Sequence, residues 1–560
     1  MRFRILLHTS VLAAVWAGAL LTGVVAQTPR VPVPAHEPEK PDFPRLPGEP
    51  PHPDPGTYGL DPQTGIYRHP AATPSVEGPH PFPGSLDFLD QNQYLSQTKV
   101  EAYYPLVVST GHSWQAIVDI QGRRYLYDYY RTAYKVYDIT DPRKLTVVAE
   151  KQFDTSKEHA FGPFAVQYNA RLKKQIVCQC YETPRFGILE NKQFEPEKVQ
   201  VIRRMKMLRG FRLFEVNGPR PADWKLLSEV ALDPAHSAQD LEHQQGSGCL
   251  DVPVYFGDRY LFVAGAPDDS FANTEYKSYL YSGGQMAFDI SDPVHPKRLS
   301  TWWVPGQRMG EEAEYKKNPR AGNNTSWMGS RMPLFIPKPV EQGGKYGYAA
   351  MGGFGFFVID ISDPAKMKAV GHLDMPVSMA GNEGDNIDVS KAEQTGIVYY
   401  SGYPMNDDCY EPYKDIYAID VKNPAQPRII GVLPRPTPPK DAPFTDYCQR
   451  RGSFGPKRTG YYIQPGTPNP KYLIYAFYNA GVQLFDVSDP AHPRIAAYFV
   501  PKMVDPKMNL EYGNPVHGVF IEWDRHLIWV MANHGIYAVS SPLLGQPIFG
   551  LLPKSASKAP

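Results

Sequence analysis

The chain has 560 residues, and its 58 Lys plus Arg balance 58 Asp plus Glu, so the formal net charge is zero. Proteins that bind nucleic-acid backbones carry a strongly basic surface, and this balance argues against that class. Hydrophobic residues make up 42% of the chain, which excludes global disorder, while 58 prolines and 46 glycines predict many turns and a β-rich fold.

The first 26 residues are typical of a secretory signal peptide. Arg2 and Arg4 precede an apolar run from Val11 to Val25, which ends at the small residue Ala26. An uncleaved N-terminal anchor is the alternative, although the run is marginal for a membrane span. No later segment contains about 18 uninterrupted apolar residues. We therefore expect a protein exported to the periplasm or the extracellular space, with no transmembrane segment after cleavage.

A proline-rich segment follows over residues 27–84. It contains 17 prolines in the 57 residues from Thr28 to Gly84. This composition favours extended polyproline conformations, so we predict a linker or a surface arm rather than a folded domain. Residues 553–560 are predicted to be a disordered tail.

Five cysteines give a further indication. In an exported protein some cysteines pair, and we expect Cys409 to bond Cys448 because both lie in loops between predicted strands. Cys178 and Cys180 lie two residues apart on one face of a predicted strand, where buried thiols are the favoured interpretation. A metal site with two sulfur ligands is the alternative, but no second cysteine pair supports it.

One sequence pattern recurs seven times: a hydrophobic strand, an acidic residue, an aliphatic residue, Ser or Thr, Asp-Pro, and a second strand. In this pattern Asp caps its own backbone and Pro fixes φ, so each copy predicts a hairpin. Two copies, RLFEVNGP and IYAVSSP, depart from the acidic-plus-Asp-Pro form. The equivalent positions, acidic in the first six copies, are Asp138, Glu215, Asp289, Asp360, Asp420, Asp486 and Ala538.

Most copies are preceded by another apolar strand and a Gly-rich turn, so each unit contains four short strands. Seven such units predict an all-β fold, a seven-bladed β-propeller of four-stranded antiparallel blades over residues 85–552. A linear β-solenoid is the alternative, but its repeats are normally much shorter. The strand near residues 102–108 is expected to complete the last blade.

The pattern xxDISDPxxPxxxG resembles the LVIVD repeat, a propeller-forming motif of bacterial exported and surface proteins, over about residues 100–552. The resemblance implies the propeller fold. It implies little about chemistry, because one fold supports many functions.

The innermost strand of a propeller blade begins at the mouth of the central channel, so residues before these strands converge. Four of the seven entry segments contain a histidine: His112, His159, His243 and His517. His236 shares a loop with His243 and is its rival for the channel. Converging imidazoles bind Zn, Cu or Fe, so a metal site is one hypothesis. The alternatives are that each histidine bonds a loop carbonyl, or acts as an acid or base without metal.

The other three entry segments contain Arg331, the pair Glu383 and Asp385, and Arg451 beside Arg450. Arg331 and Arg451 would hold a carboxylate or phosphate of a substrate, with Glu383 or Asp385 as the general base. The alternative is that these charged groups pair with one another around the channel.

Two classes of function follow. The first is an exported protein that binds a small organic ligand or substrate at the channel mouth, with metal-dependent hydrolase, lyase and oxidoreductase chemistry left open. Inserts at residues 184–207, 267–282 and 305–328 would form the walls of its pocket. The second is a non-catalytic cell-envelope scaffold whose partner is an envelope protein. The histidine pattern favours the first class, and the lack of a known catalytic motif favours the second.

Overall fold

A computed structural model gives the structure of part of the chain. The described residues are 59–60, 67–68, 90–105, 114–129, 133–152, 164–182, 209–231, 252–265, 284–308, 310–318, 329, 332–375, 382–404, 414–445, 447–450, 453–459, 463–503 and 516–550. The predicted signal peptide (1–26) and tail (553–560) lie outside them. Within the predicted arm, β1 (Gly59–Leu60) and β2 (Tyr67–Arg68) form an antiparallel pair. No helix in these ranges is both long enough and apolar enough to cross a membrane.

Seven antiparallel sheets follow one another along the chain, which confirms the predicted seven-bladed β-propeller. Blade 1 consists of β5 (Trp114–Ile120), β6 (Arg123–Tyr129), β7 (Ala133–Asp138) and β8 (Thr146–Gln152). Blade 2 consists of β9 (Phe164–Asn169), β10 (Lys174–Glu182), β11 (Arg209–Glu215) and β12 (Lys225–Ala231). Blade 3 consists of β13 (Val254–Tyr255), β14 (Tyr260–Gly265), β15 (Gly284–Asp289) and β16 (Lys297–Trp302).

The remaining blades vary this plan. Blade 4 consists of β17 (Tyr346–Ala350), β18 (Phe356–Asp360) and β19 (Lys368–Leu373), with Phe335 bridged to Tyr348 on the inner side. Blade 5 consists of β20 (Asn382–Asp388), β21 (Ile397–Tyr403), β22 (Ile416–Asp420) and β23 (Arg428–Val432). Blade 6 consists of β24 (Tyr472–Ala476), β25 (Val482–Asp486) and β26 (Arg494–Val500), with Arg458 bridged to Ala476 on the inner side. Blade 7 contains β27 (Val516–Glu522), β28 (Leu527–Ala532) and β29 (Gly535–Ser540). Two short helices are α1 (Glu312–Lys317) and α2 (Ala392–Thr395).

The N-terminal strands close the ring. Strand β4 (Lys99–Pro105) pairs antiparallel with β29 and supplies the fourth strand of blade 7, which confirms the predicted closure. Strand β3 (Tyr94–Ser96) pairs with β26 and adds a further outer strand to blade 6. The first described strands of the ring therefore join its last two blades, and blade 7 has its fourth strand only through the N-terminal segment.

The Asp-Pro turns have the predicted chemistry. In blade 3, Oδ1 of Asp289 accepts a hydrogen bond of 2.8 Å from the Ser291 N–H, and Asp292 accepts one of 3.0 Å from the Val294 N–H. Arg259 also pairs with Asp289, at 2.7 Å. Burial alone would raise the pKa of Asp289, but the hydrogen bonds from Arg259 and Ser291 outweigh it and lower the pKa to about 2. The carboxylate therefore stays charged and fixes the hairpin.

The fourth strand has a β-bulge at the same place in every blade. In blade 4, Val358 pairs with Gly371, but Ile359 pairs with Ala369, so one residue is left over. The residue after the bulge is small in all seven blades: Ala149, Ser228, Ser300, Gly371, Gly431, Ala497 and Ala102. The two weak sequence copies therefore form regular blades.

The register corrects one detail of the repeat alignment. Asp486 of blade 6 pairs with Arg494, the first residue of its fourth strand. In blade 7 the residue that pairs with the first residue of β4, Lys99, is Ser540. Ser540 rather than Ala538 therefore occupies the acidic position, because the third strand of blade 7 extends two residues further toward its proline.

The small residue contacts the Asp-Pro turn of the next blade. The Ser228 hydroxyl of blade 2 donates to the Pro293 carbonyl at 2.7 Å, and the Ser300 hydroxyl of blade 3 donates to the Pro364 carbonyl at 2.6 Å. Each turn thus joins two blades as well as two strands. We call this contact the turn joint.

In blades 4 and 5 the turn joint is closer, and glycine makes room for it. A Cβ atom on Gly371 would lie 1.9 Å from the Pro424 carbonyl oxygen. We expect Gly371→Ala to lower the free energy of unfolding by about 1–3 kcal/mol, because the backbone of one blade must move away from the next. Urea unfolding followed by fluorescence measures this loss. Gly218→Ala is the matched control, since the nearest atom to its added Cβ would be 3.6 Å away; equal losses in the two variants would contradict the prediction.

Cys178 and Cys180 lie on one face of β10, as the alternation predicted. Both side chains are fully buried in the apolar cluster between blades 2 and 3, with Phe211 and Leu261. Cys178 is a free thiol, and burial raises its pKa. Cys180 is bonded in a disulfide, which corrects the expectation that both are thiols. The predicted pairing of Cys409 with Cys448 falls outside the described side chains.

Candidate functional site

A cavity of about 30 Å³ lies between inner segments of blades 1, 2, 3, 6 and 7. Its walls include Phe164, Tyr255, Ile463 and Phe520. This volume suffices for one or two water molecules. This cavity alone therefore does not hold an organic ligand.

Buried polar groups lie where the inner strands begin, at the end that we call the entrance. Gln115, in β5, donates from its amide to Asp128 of β6 at 3.0 Å, and both side chains are buried. The neighbouring inner strand, β27, approaches closely, because a Cβ on Gly518 would lie 3.2 Å from Oε1 of Gln115. Blades 1 and 7 therefore meet at the entrance through polar groups.

His517 precedes Gly518 in β27 and is 5% exposed. Burial, together with the positive charges of Lys457 and Arg458, lowers its pKa to about 3. The imidazole is therefore neutral at neutral pH. Lys457 and Arg458 come from blade 6, where Arg458 bridges to Ala476 at the end of β24.

Basic residues are concentrated at the entrance end of blades 5 and 6. Lys414 is 3% exposed, Arg450 0%, Lys457 2% and Arg458 5%, and Lys502 is half-buried. We call these five residues the cationic sector. Two buried carboxylates lie beside it. Asp90 pairs with Arg450 at 2.9 Å, and Asp415 pairs with Arg435 at 2.7 Å.

His534, in the turn between β28 and β29, is affected by the positive charges of the same cationic sector. Its Nε2 lies 2.8 Å from the Tyr537 hydroxyl, and its backbone carbonyl accepts a hydrogen bond from Tyr103 of the closing strand β4. Burial lowers the pKa of His534 to about 4, assisted by the charges of Lys502 and Arg450. Two histidines of blade 7 are thus kept neutral by burial and by the cationic sector.

This arrangement predicts a pH dependence of stability. The pKa of His534 is lower in the folded state than in the unfolded chain, so from about pH 6.5 down to about 4 only the unfolded state gains the proton. Stability therefore falls as the pH falls through this window, by up to about 3 kcal/mol from this group. We expect His534→Gln to reduce the slope with which the free energy of unfolding, measured in urea, changes between pH 6.5 and 4.

His295→Gln is the control for this prediction. The His295 side chain is 76% exposed and lies beside Asp292 in an outer turn. Its replacement should leave the slope between pH 6.5 and 4 as in the wild type. A wild-type slope in His534→Gln would show that burial of this imidazole does not control the acid response.

The predicted metal ligands are described only in part. His517 lies at the entrance, whereas His112, His159 and His243, with its rival His236, lie outside the described residues. Among the side chains that the structure describes, no group of three or more His, Cys, Asp or Glu is arranged to hold a metal.

The predicted charged site is likewise described only in part. Glu383 and Asp385 lie within β20, the inner strand of blade 5, at its entrance end, but their side chains lie outside the described part of the chain. Arg331 and Arg451 are outside it altogether. Arg450, the neighbour of Arg451, is fully buried and bonded to Asp90 and to the carbonyls of Asn479 and Pro501. Its role is therefore structural.

The insert at residues 305–328 is partly described. Glu311 precedes α1 and accepts hydrogen bonds from the Trp303 indole and the Gly306 N–H, at 3.1 and 2.8 Å. Tyr315 of α1 is 8% exposed and packs edge-on against Phe354 of blade 4. This part of the predicted pocket wall is therefore held against the blades.

Sequence reasoning missed a second polar cluster, which includes residues just after the inner strands β20 and β27. Lys391 is 1% exposed, donates to the Ser390 hydroxyl at 3.0 Å, and lies 5.6 Å from the ring centre of Trp523. Burial lowers its pKa, against the opposing charge of Asp388. The Thr459 hydroxyl donates to Asp388 at 2.7 Å. The cluster joins blades 5, 6 and 7, and no sequence pattern marked it.

The fold and the Asp-Pro turns together define a repeat-built β-propeller. Residues 340–374, which cover most of blade 4, match the family model described as the LVIVD repeat. The chain thus contains an LVIVD repeat within a β-propeller, as its sequence resemblance implied. No curated protein matches the chain.

Several solved structures resemble the chain weakly. The β-propeller domain of Cps50 (Swd1) from Myceliophteria thermophila is 11% identical, with a TM-score of 0.41, over 79% of this chain and 99% of that one. The N-terminal domain of Nup159 is 9% identical, with a TM-score of 0.39, over 80% and 98%. The WD40 propeller domain of Doa1 is 7% identical, with a TM-score of 0.37, over 79% and 97%. At these values no functional property passes to this chain.

Proposed function

We propose that the protein is an exported binding protein whose ligand, a small organic molecule, sits at the channel entrance. The observation that supports this most is the buried polar surface shared by three blades. Gln115 and Asp128 of blade 1, Lys457 and Arg458 of blade 6, and His517 of blade 7 are all at most 5% exposed. A propeller that needed only stability would fill these positions with apolar side chains, because burying polar groups costs free energy.

Export is supported by two features. The N-terminal 26 residues have the composition of a signal peptide, and Cys180 is bonded in a disulfide. Disulfides form and persist in oxidising compartments such as the periplasm. A cell-envelope location is consistent with both features.

The metal hypothesis stays a prediction. A neutral His517 is a competent ligand for Zn, Cu or Fe, but the charges of Lys457 and Arg458 oppose a divalent cation beside it. Elemental analysis of the exported protein tests it. About one equivalent of metal that is lost in His112→Ala/His517→Ala would support a metal-dependent enzyme, and metal-free protein after reconstitution would contradict one.

Histidine-selective NMR tests the binding proposal. We expect at least one member of a library of neutral, cationic and anionic metabolite-sized compounds to shift the imidazole signals of His517 and His534. The signals of His295 and His492, which lie on outer turns with side chains 76% and 75% exposed, should stay in place. A library that shifts no entrance signal would overturn the proposal and favour a scaffold for an envelope protein.

A further inference from the structure

The seventh repeat contains the sequence of a fourth strand that its own blade does not use. Residues 536–553 read IYAVSSPLLGQPIFGLLP, and residues 416–434 of blade 5 read IYAIDVKNPAQPRIIGVLP. Both stretches begin with a similar third strand and continue through a seven-residue turn that ends in Gln-Pro. In blade 5 the residues after Gln-Pro form the fourth strand, β23. The same pattern predicts a fourth strand directly after Pro547.

In blade 7 this position is occupied by β4, from the N-terminal segment. Strand β4 pairs with β29 along its length. The Tyr103 hydroxyl also donates to the His534 carbonyl, and the Tyr104 hydroxyl donates to the Pro142 carbonyl, each at 3.0 Å. Two segments of the chain therefore have a sequence suited to one position in the sheet.

The residues after Pro547 lie instead against the turn of blade 7 that contains Arg525. The Ile548 N–H donates to the Arg525 carbonyl at 3.0 Å, and the Arg525 guanidinium donates to the Gly550 carbonyl at 3.3 Å. The Arg143 guanidinium of blade 1 lies 4.4 Å from the ring centre of Phe549. The Ile548 side chain is 36% exposed. Few described contacts thus hold this segment, and one of its apolar side chains stays partly in solvent.

One missing residue explains why β4 occupies the position. The fourth strand of each blade has a β-bulge, which requires one residue more than the third strand opposite it. The residue left over is Ile430 in blade 5 and Glu101 in β4. Blade 5 has three residues between its Gln-Pro and the following glycine, whereas the C-terminal segment has two, between Pro547 and Gly550. The C-terminal segment is therefore one residue too short to form the bulge.

We propose that residues 548–552 are a spare fourth strand of blade 7, which pairs with β29 when β4 is not paired with it. The ring then has two alternative closures that differ by the exchange of one strand. Without β4, β29 has an open edge whose N–H and C=O groups accept a strand that fits. Residues 548–552 follow β29 after a short turn, so their pairing costs little loop-closure entropy, whereas β4 comes from the other end of the chain. The spare strand therefore closes blade 7 before β4 arrives during folding.

Hydrogen exchange of the full chain, followed by mass spectrometry, tests the proposal. In Ala102→Pro/Tyr103→Pro, β4 cannot keep its pairing with β29, because proline has no N–H to donate. We expect the amides of residues 548–552 to exchange at least about tenfold more slowly in this variant than in the wild type. Ile429→Pro/Ile430→Pro is the matched control, because it breaks the fourth strand of blade 5 and should leave exchange of residues 548–552 unchanged.

A second variant tests the same competition with β4 intact. An Arg inserted between Pro547 and Ile548 restores the spacing of blade 5 and supplies the residue that the bulge requires. We expect slower exchange of the C-terminal segment and faster exchange of the β4 amides, because the two strands compete for one edge. An Arg inserted after Pro553 adds the same charge without changing the spacing, and it should alter neither.

Unchanged exchange of residues 548–552 in both the proline variant and the spacing variant would overturn the proposal. Equal slowing in the blade 5 control would also overturn it, because the protection would then not depend on the edge of β29. If the proline variant does not fold, the spacing variant decides, since it leaves every residue of β4 in place.

Discussion

Replacing Glu522 by Gln is expected to lower the free energy of unfolding by about 3–5 kcal/mol, the cost of removing one partner from a buried ion pair. Glu522 ends β27 and is 0% exposed. It accepts from Arg124 of blade 1 at 2.6 Å, from Arg525 at 2.7 Å and from the Trp529 indole. Burial would raise the pKa of Glu522, but Arg525 and Arg124 lower it, so a charged carboxylate holds both arginines.

The position of this ion cluster explains why the loss should be large. Arg525 of blade 7 also donates to the Thr140 and Ile139 carbonyls of blade 1, each at 3.0 Å. The cluster therefore ties the last blade to the first. With Gln at position 522, the buried guanidinium groups of Arg124 and Arg525 no longer face a negatively charged partner at the junction between blades 7 and 1.

Asp119→Asn provides the control, measured by the same urea unfolding. Asp119 contacts Arg124 through two hydrogen bonds, at 2.7 and 2.9 Å, but its side chain is 55% exposed. Solvent screens such a pair, and we expect a loss of about 0–1 kcal/mol. If Glu522→Gln cost no more than Asp119→Asn, the buried cluster would not be what stabilises the closure.

Asp90→Asn is expected to cost a comparable amount, about 3–5 kcal/mol. Asp90 and Arg450 form an ion pair in which both side chains are 0% exposed, and the Asp90 carbonyl accepts from the Met503 N–H at 2.7 Å. Burial lowers the pKa of Arg450, against the charge of Asp90. Without that charge the guanidinium is buried and poorly compensated, and the segment that leads into β3 loses its anchor.

Limited proteolysis together with urea unfolding measures this effect. We expect faster cleavage before residue 94 in Asp90→Asn as well as lower stability. Asp486→Asn is the control, because its partner Arg494 is 77% exposed and Asn keeps the acceptor for the Ser488 N–H. Equal losses in the two variants would mean that burial does not increase the contribution of the Asp90–Arg450 pair to stability.

The repeat made the fold predictable, because each copy encodes its own turn. The acidic residue and the Asp-Pro pair lie close together in the sequence, so the hydrogen bonds of the turn are local and can be predicted from the sequence. The closure by β4 followed from counting strands. In five blades the small residue after the bulge lies seven positions after the Pro, but in blade 2 it lies nine positions after it and in blade 7 it lies on the N-terminal strand β4. The role of this small residue could not be predicted from the sequence. It depends on a contact with the following blade, as between Gly371 and Pro424.

The site was less predictable, because it depends on where each inner strand begins. In the segment YCQRRGSFGPKR the conspicuous arginines are Arg450 and Arg451, yet Arg450 is an internal ion-pair partner. Lys457 and Arg458 follow Arg450 by seven and eight residues and lie on the inner side of the blade. Lys391 could not be predicted at all, since its neighbour Trp523 is 132 positions away and no local pattern links them.

The turn joints differ from blade to blade in their chemistry. A Ser hydroxyl makes the contact between blades 2 and 3 and between blades 3 and 4, and glycine permits it between blades 4 and 5. Between blades 7 and 1 the hydroxyl of Tyr104, rather than the small residue, donates to the Pro142 carbonyl. The seven repeats are consequently not interchangeable modules. Exchanging two blades would place a side chain where a carbonyl must pass, or leave a hydroxyl without its acceptor. The order of the repeats along the chain therefore matters for the assembly of the ring, even where neighbouring blades have the same strand arrangement.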